Sequence, residues 1–221
     1  MNPRTQPLAL QGPAGKLQTL VDRPAPAAEH NPVGVAVIAH PHPLFGGTMD
    51  NKVVQTLARA FVQAGWVAVR FNFRGVGESE GVYDEGRGEL QDLLAVIAHF
   101  SPTAGAPSAL ALAGFSFGAF VTSHAVQALH AARTLERLVL VGTAAGRFEV
   151  AALPPDLHAK TLVLHGEEDD TVPLLAALDW ARPQNLPVLV LPGVGHFFHG
   201  QLPLLRELVA RHVTIPAMAQ A

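Results

Sequence analysis

The sequence predicts an α/β fold, a doubly wound and mostly parallel sheet, in a single domain spanning residues 1–221. Three observations carry this expectation. Short, continuous apolar runs of the kind found in strands covered on both faces alternate with segments of helical periodicity along the whole chain. Hydrophobic residues make up 49% of the chain and charged ones 15%, as much buried sheet requires. A length of 221 residues is also common for one α/β domain.

Taken in order, Leu8-Ala9-Leu10, a Gly12-Pro13-Ala14-Gly15 turn and Leu17–Val21 read as an antiparallel pair. The Pro/Ala-rich piece Arg23–Ala28 reads as a loop. Val33–Ala39 is the first fully apolar strand, and it runs into His40-Pro41-His42-Pro43-Leu44-Phe45-Gly46-Gly47. Thr48 is placed to cap a helix with an apolar face of Val53, Val54, Leu57 and Phe61, closed by Gly65. Trp66–Phe71 is the next strand. Leu90, Leu93, Leu94, Ile97 and Phe100 then recur at helical spacing. After the run 110–113 and a helix to about Ala132 come strands at Leu135–Val141, Thr161–His165 and Val188–Leu191. Helices follow Pro173 and span Leu204–His212, and Pro216–Ala221 reads as a loose tail.

Composition excludes several function classes. The 15 basic and 18 acidic side chains give a net charge of −3 with no block of one sign, so neither nucleic acid nor an anionic membrane is an expected partner. No apolar run has the length of a membrane span, and the first seven residues do not resemble a signal peptide, so a cytoplasmic location is expected. The absence of cysteine removes disulfides and thiol nucleophiles. Nothing in the sequence speaks to oligomeric state.

The chemistry-bearing stretch is Leu110–Phe120, where an apolar run ends in Gly114-Phe115-Ser116-Phe117-Gly118 and a helix-compatible run follows. In that strand, turn and helix context, G-x-S-x-G presents a serine hydroxyl on a sharp turn, with no room for side chains two residues away on either side. An activated serine needs a base, and the base needs an orienting carboxylate. Candidates for both fall just past later strands, where parallel sheets gather their functional groups. The acid lies within Glu167-Glu168-Asp169-Asp170. The base is His196, following Gly195, with His199, read as opening the final helix, as the competing histidine.

These segments resemble the α/β-hydrolase superfamily over nearly the whole chain. Gly114–Gly118 resembles its nucleophile elbow, His165-Gly166 with Asp169 and Val172-Pro173 its acid loop, and Gly195-His196-Phe197 the loop of its base. That resemblance implies a triad of Ser116, Asp169 and His196, with Asp170 as the alternative acid. His40–Pro43, Gly46–Lys52 and Arg70–Gly75 further resemble small, lidless bacterial hydrolases related to the dienelactone hydrolases. Those carry cysteine where this chain has Ser116, so their lactone specificity does not transfer.

One oxyanion donor is expected from the backbone N–H of Phe117 and the other from the loop after Val33–Ala39. Pro41 and Pro43 have no N–H, which leaves His42, held extended by Pro43, and then Leu44. An H-x-H metal pair of His40 and His42 is the competing reading. It lacks a free third ligand, so no metal and no cofactor are expected. Asn72 and Arg74 read as residues that fix loops, and Gly75 and Gly77 as turn formers.

The resemblance implies a serine hydrolase, carboxylesterase-like, acting on small-molecule esters through an acyl-enzyme. Thioester or amide cleavage on the same residues, or a non-catalytic binding protein on this fold, are the alternatives. Only residues 142–160 separate two strands where larger relatives insert a lid, so an open cleft favouring short acyl chains is expected. Phe45, Phe117, Phe197 and Phe198 would oppose that preference if they lined an apolar trench.

Overall fold

A computed structural model describes residues 4–25, 32–101 and 109–215. The expected loop at 26–28 and tail at 216–221 lie outside the described residues. Among the described residues eight strands form one sheet: β1 (Thr5–Gly12), β2 (Gly15–Asp22), β3 (Gly34–Ala39), β4 (Val67–Phe71), β5 (Ala109–Phe115), β6 (Leu135–Val141), β7 (Thr161–Gly166) and β8 (Val188–Leu191). Their order is β1-β2-β4-β3-β5-β6-β7-β8. β1 and β2 pair antiparallel across the Pro13-Ala14 turn, and β2 joins β4 antiparallel. Every pairing from β4 to β8 is parallel. The expected doubly wound sheet with its N-terminal antiparallel pair is present.

Among the described residues five α-helices cover it: α1 (Lys52–Gln63), α2 (Arg87–Phe100), α3 (Phe117–Leu129), α4 (Leu174–Ala181) and α5 (Leu202–Val213). Alternation along the strands sorts the core into two layers. Ala36 and Ile38 of β3 join Val53, Leu57 and Phe61 of α1 and Leu205 and Val209 of α5 on one face. Val37 and Ala39 join Leu93 and Ile97 of α2 and Val121 and Ala125 of α3 on the other. Both faces of the central strands are therefore dry, which is why those strands read as unbroken apolar runs.

Two local expectations need correction. α1 is capped by Asn51, whose side chain accepts from the Val53 N–H at 2.9 Å, not by Thr48. Thr48 Oγ1 instead accepts from the Asp50 N–H within the preceding turn. Both residue types cap well, and the extra turn between them moved the helix start. His199 lies ahead of α5 rather than opening it. The segment between β6 and β7 holds a short 3-10 turn (Pro155–Lys160) and no helical cap.

Candidate active site

β5 delivers Ser116 to the carboxyl edge of the sheet in a strained conformation. Its φ of +56° and ψ of −117° fall where a non-glycine residue is rarely found, a strain of about 1–3 kcal/mol held by the surrounding structure. The Ser116 N–H is tied to the Val141 carbonyl at 2.9 Å, which fixes the turn against β6. Glycine is required on both sides by close approach. A Cβ on Gly114 would lie 2.4 Å from the Gly118 carbonyl oxygen, and one on Gly118 would lie 2.4 Å from that of Ala39.

The structure brings Ser116, His196 and Asp169 into one hydrogen-bonded chain. His196 Nε2 lies 3.0 Å from Ser116 Oγ, and its Nδ1 lies 2.7 Å from Asp169 Oδ2. All three residues are buried, with Ser116 retaining 8% exposure. The second carboxylate oxygen, Oδ1, accepts from the N–H groups of Val172 at 2.7 Å and Thr171 at 3.0 Å. Burial pushes the Asp169 carboxyl up, but the hydrogen bonds from His196 and the Val172 N–H, with the neighbouring His196 and His165 rings, outweigh it. The net direction is down, so Asp169 is held ionised.

Asp170, Glu167 and Glu168 point to solvent, and so does His199. Asp170 contacts only the Thr171 hydroxyl, and Glu167 accepts from the Gly193 N–H. His165 closes the acid loop: its Nε2 lies 2.9 Å from the Val172 carbonyl oxygen and 3.4 Å from Asp169 Oδ2. Burial lowers its pKa, so the ring is neutral and donates to that carbonyl. The sequence placed His165 at a strand end and, by resemblance, at the start of the acid loop, without giving its ring a role.

The two histidines of the loop after β3 have different partners. His40 is fully buried, with Nδ1 2.6 Å from the Pro41 carbonyl and Nε2 accepting from the Phe73 N–H at 3.0 Å. Both ring nitrogens are taken, so His40 has no lone pair for a metal, and it ties the β3 loop to the β4 loop. His42 is extended, with φ −52° and ψ 123°, as the following proline demands. Its Nδ1 accepts from the Leu44 N–H at 3.2 Å, which puts the ring proton on Nε2, 3.2 Å from the Tyr83 hydroxyl. The Leu44 N–H is thus engaged. The backbone N–H groups of His42 and Phe117 find no acceptor among the described residues.

Asn72 and Arg74 fix loops as expected. Asn72 bridges the Met49 N–H and the Gln18 side chain, and Arg74 makes a bidentate pair with Asp92. Gly75 and Gly77 both adopt positive φ.

Burial lowers the His40 pKa to about 4 from an ordinary value of 6.5. The unfolded chain therefore takes up a proton between those values while the native chain does not, and stability falls as pH drops through that window. The loss from His40 alone is about 3 kcal/mol by pH 4. Burial of His165 and His212 acts in the same direction. Urea unfolding at a series of pH values checks this, and the slope between pH 6.5 and 4 is expected to be shallower in His40→Asn.

A cavity of about 630 Å³ opens above Ser116 and His196. Phe45, Phe117 and Phe197 line it, whereas Phe198 is buried in the core beneath. The cleft is open, as expected without a lid, and several aromatic side chains line it. Residues 142–160 contribute: this segment supplies Ala144, Arg147 and Phe148 to the lining. Phe148 is held there by stacking on Phe120 at 4.8 Å and by an edge contact with Phe117 at 5.2 Å.

No group of three or more histidine and carboxylate side chains is placed to hold a metal ion among the described residues. No helix among them is long and apolar enough to cross a membrane.

Comparison with known proteins agrees with this architecture. Residues 14–146 match the model of the X-Pro dipeptidyl-peptidase (S15) family. A crystal structure of an α/β serine hydrolase without lid from Xanthomonas campestris is 35% identical, with a TM-score of 0.83 over 99% of both chains. An α/β serine hydrolase homologue from Coxiella burnetii is 36% identical, with a TM-score of 0.75 over 94% of this chain and 97% of that one. An uncharacterised protein of Rickettsia prowazekii is 37% identical over 115 residues, 52% of this chain, and the chain spans about half the length of that curated relative. By family match, sequence identity and sheet order, the chain belongs to the α/β-hydrolase superfamily, within the S15 family, and is similar to α/β serine hydrolases of known structure.

Proposed function

We infer that the chain is a carboxylic ester hydrolase working through an acyl-enzyme on Ser116. The observation that carries this reading is the Ser116–His196–Asp169 hydrogen-bonded chain at the floor of an aromatic cleft. In this reading Ser116 Oγ attacks the ester carbonyl carbon while His196 Nε2 takes its proton, and Asp169 holds the imidazole with Nδ1 protonated. The N–H groups of Phe117 and His42 stabilise the oxyanion, and that of Phe117 adds the N-terminal field of α3. The alkoxide leaves with the proton from His196. Water, deprotonated by His196, then releases the acid.

The family description raises a peptidase alternative, the release of an X-Pro dipeptide. Such a substrate brings a free ammonium group into the cleft. Among the described lining residues there is no carboxylate to receive it, and Arg147 would repel it. Ester cleavage is therefore the better fit. A panel of 4-nitrophenyl esters from acetate to palmitate, run beside Ala-Pro-4-nitroanilide, tests both readings. The aromatic lining predicts kcat/KM rising from acetate, because each buried methylene contributes about 0.8 kcal/mol. The open cleft predicts a maximum short of decanoate and no jump at a lipid interface. Faster turnover of the anilide than of every ester would overturn the reading.

A further inference from the structure

We propose that Arg147 forms an anion subsite in the cleft, so that the preferred substrates are esters bearing a second, remote carboxylate. The proposal rests on the ester-hydrolase reading above and names its substrate class. Arg147 lines the same cavity as Ser116 and His196. It is exposed, and its guanidinium makes no hydrogen bond or ion pair with any described residue. No carboxylate lines the cavity among the described residues, so the charge that Arg147 brings is not cancelled there. Its field already reaches the cleft wall: after burial, Arg147 is the second cause that lowers the His42 pKa.

The position of Arg147 is set by its neighbours. Gly146 turns at φ +82°, the N–H groups of Arg147 and Phe148 both reach the Ala144 carbonyl, and Ala145 and Phe148 form a β-bridge. Phe148, stacked on Phe120, anchors the turn one residue beyond the guanidinium. A planar guanidinium on an anchored turn, at the side of an open cleft, is well matched to a carboxylate that approaches edge-on. A cationic or peptide N-terminal substrate meets the opposite.

The test compares matched esters that differ only in the remote charge. Mono-(4-nitrophenyl) glutarate against 4-nitrophenyl pentanoate places the carboxylate on the acyl side. The pair 4-acetoxybenzoate and 4-methylphenyl acetate places it on the alcohol side. In the wild type, the charged member of at least one pair is expected to have a kcat/KM about fivefold higher, mostly through KM, and the advantage should shrink in 0.5 M salt. In Arg147→Gln that ratio should fall to about one, and in Arg147→Glu it should invert. Using a ratio cancels any loss common to both esters. An unchanged ratio in Arg147→Gln, or no preference in either wild-type pair, overturns the subsite.

Failure of the hydrolase reading looks different, since neither member of either pair would then turn over. In that event the subsite is read by calorimetric titration of the Ser116→Ala protein with glutarate monoester and pentanoate ester. A tighter Kd for the charged ester, lost when Arg147→Gln is added, supports it. Equal affinities refute it.

Discussion

Ser116→Ala is expected to lower kcat for an activated ester by about four to six orders of magnitude while leaving Tm nearly unchanged. The two halves of this expectation have separate causes. Ser116 Oγ has one partner, His196 Nε2, so the fold loses a single hydrogen bond when it goes. The unusual backbone conformation is set by the Ser116 N–H bond to Val141 and by glycine at 114 and 118, none of which alanine alters. Chemistry, by contrast, loses its nucleophile. What survives is the modest catalysis that oriented N–H donors supply without a nucleophile. Stopped or coupled assays over hours are needed to read the residual rate, and activity within tenfold of the wild type would sink the serine mechanism.

Asp169→Asn is expected to lower kcat by about four orders of magnitude, and Asp170→Asn to change it by less than twofold. The local hydrogen bonds say why. Asp169 Oδ1 accepts from the N–H groups of Thr171 and Val172, so an asparagine must keep its oxygen there. Its NH2 group then faces His196 Nδ1, which has to accept. That moves the ring proton to Nε2, the atom facing Ser116 Oγ, and the imidazole can no longer take the serine proton. Asp170 has no such partner, since among the described residues its carboxylate reaches only the Thr171 hydroxyl. A crippled Asp170→Asn with an active Asp169→Asn would move the acid by one residue and break this account.

Much of this arrangement was legible in the sequence, and the legible parts share a physical cause. β5 and its serine turn announce themselves because a strand covered on both faces must be apolar throughout, and because backbone contacts at 114 and 118 admit only glycine. Among four consecutive carboxylates the resemblance to the acid loop, by its spacing to Val172-Pro173, implied Asp169 with Asp170 as the alternative, and it is the Asp169 carboxylate that accepts from the Val172 N–H. Proline chemistry put the His42 N–H first and the Leu44 N–H next; among the described residues the former has no acceptor, while the latter is held by the His42 ring.

The parts that were not legible depend on contacts between distant segments. Arg147 and Phe148 follow an unremarkable loop in sequence, and only the packing of Phe148 on Phe120 and Phe117 carries them to the cleft. Counting the residues between β6 and β7 excluded a lid, but it could not show that so short a segment lines the site with aromatic surface. The part His40 plays in tying the β3 loop to the β4 loop was not legible, because its bond to the Phe73 N–H joins segments that only the fold brings together. The helix cap slipped from Thr48 to Asn51 because two good capping residues stand three apart and only the turn between them decides.

The central claim is that Ser116 becomes covalently acylated, and a fluorophosphonate tests it most directly. Attack by Ser116 Oγ forms a P–O bond and expels fluoride, leaving an adduct that intact-mass spectrometry counts and peptide mapping locates. One adduct per chain on the peptide carrying Ser116, blocking ester hydrolysis and absent from Ser116→Ala, is the result this account predicts. An unmodified Ser116 in a protein that still hydrolyses esters, or an adduct on another residue, would contradict it.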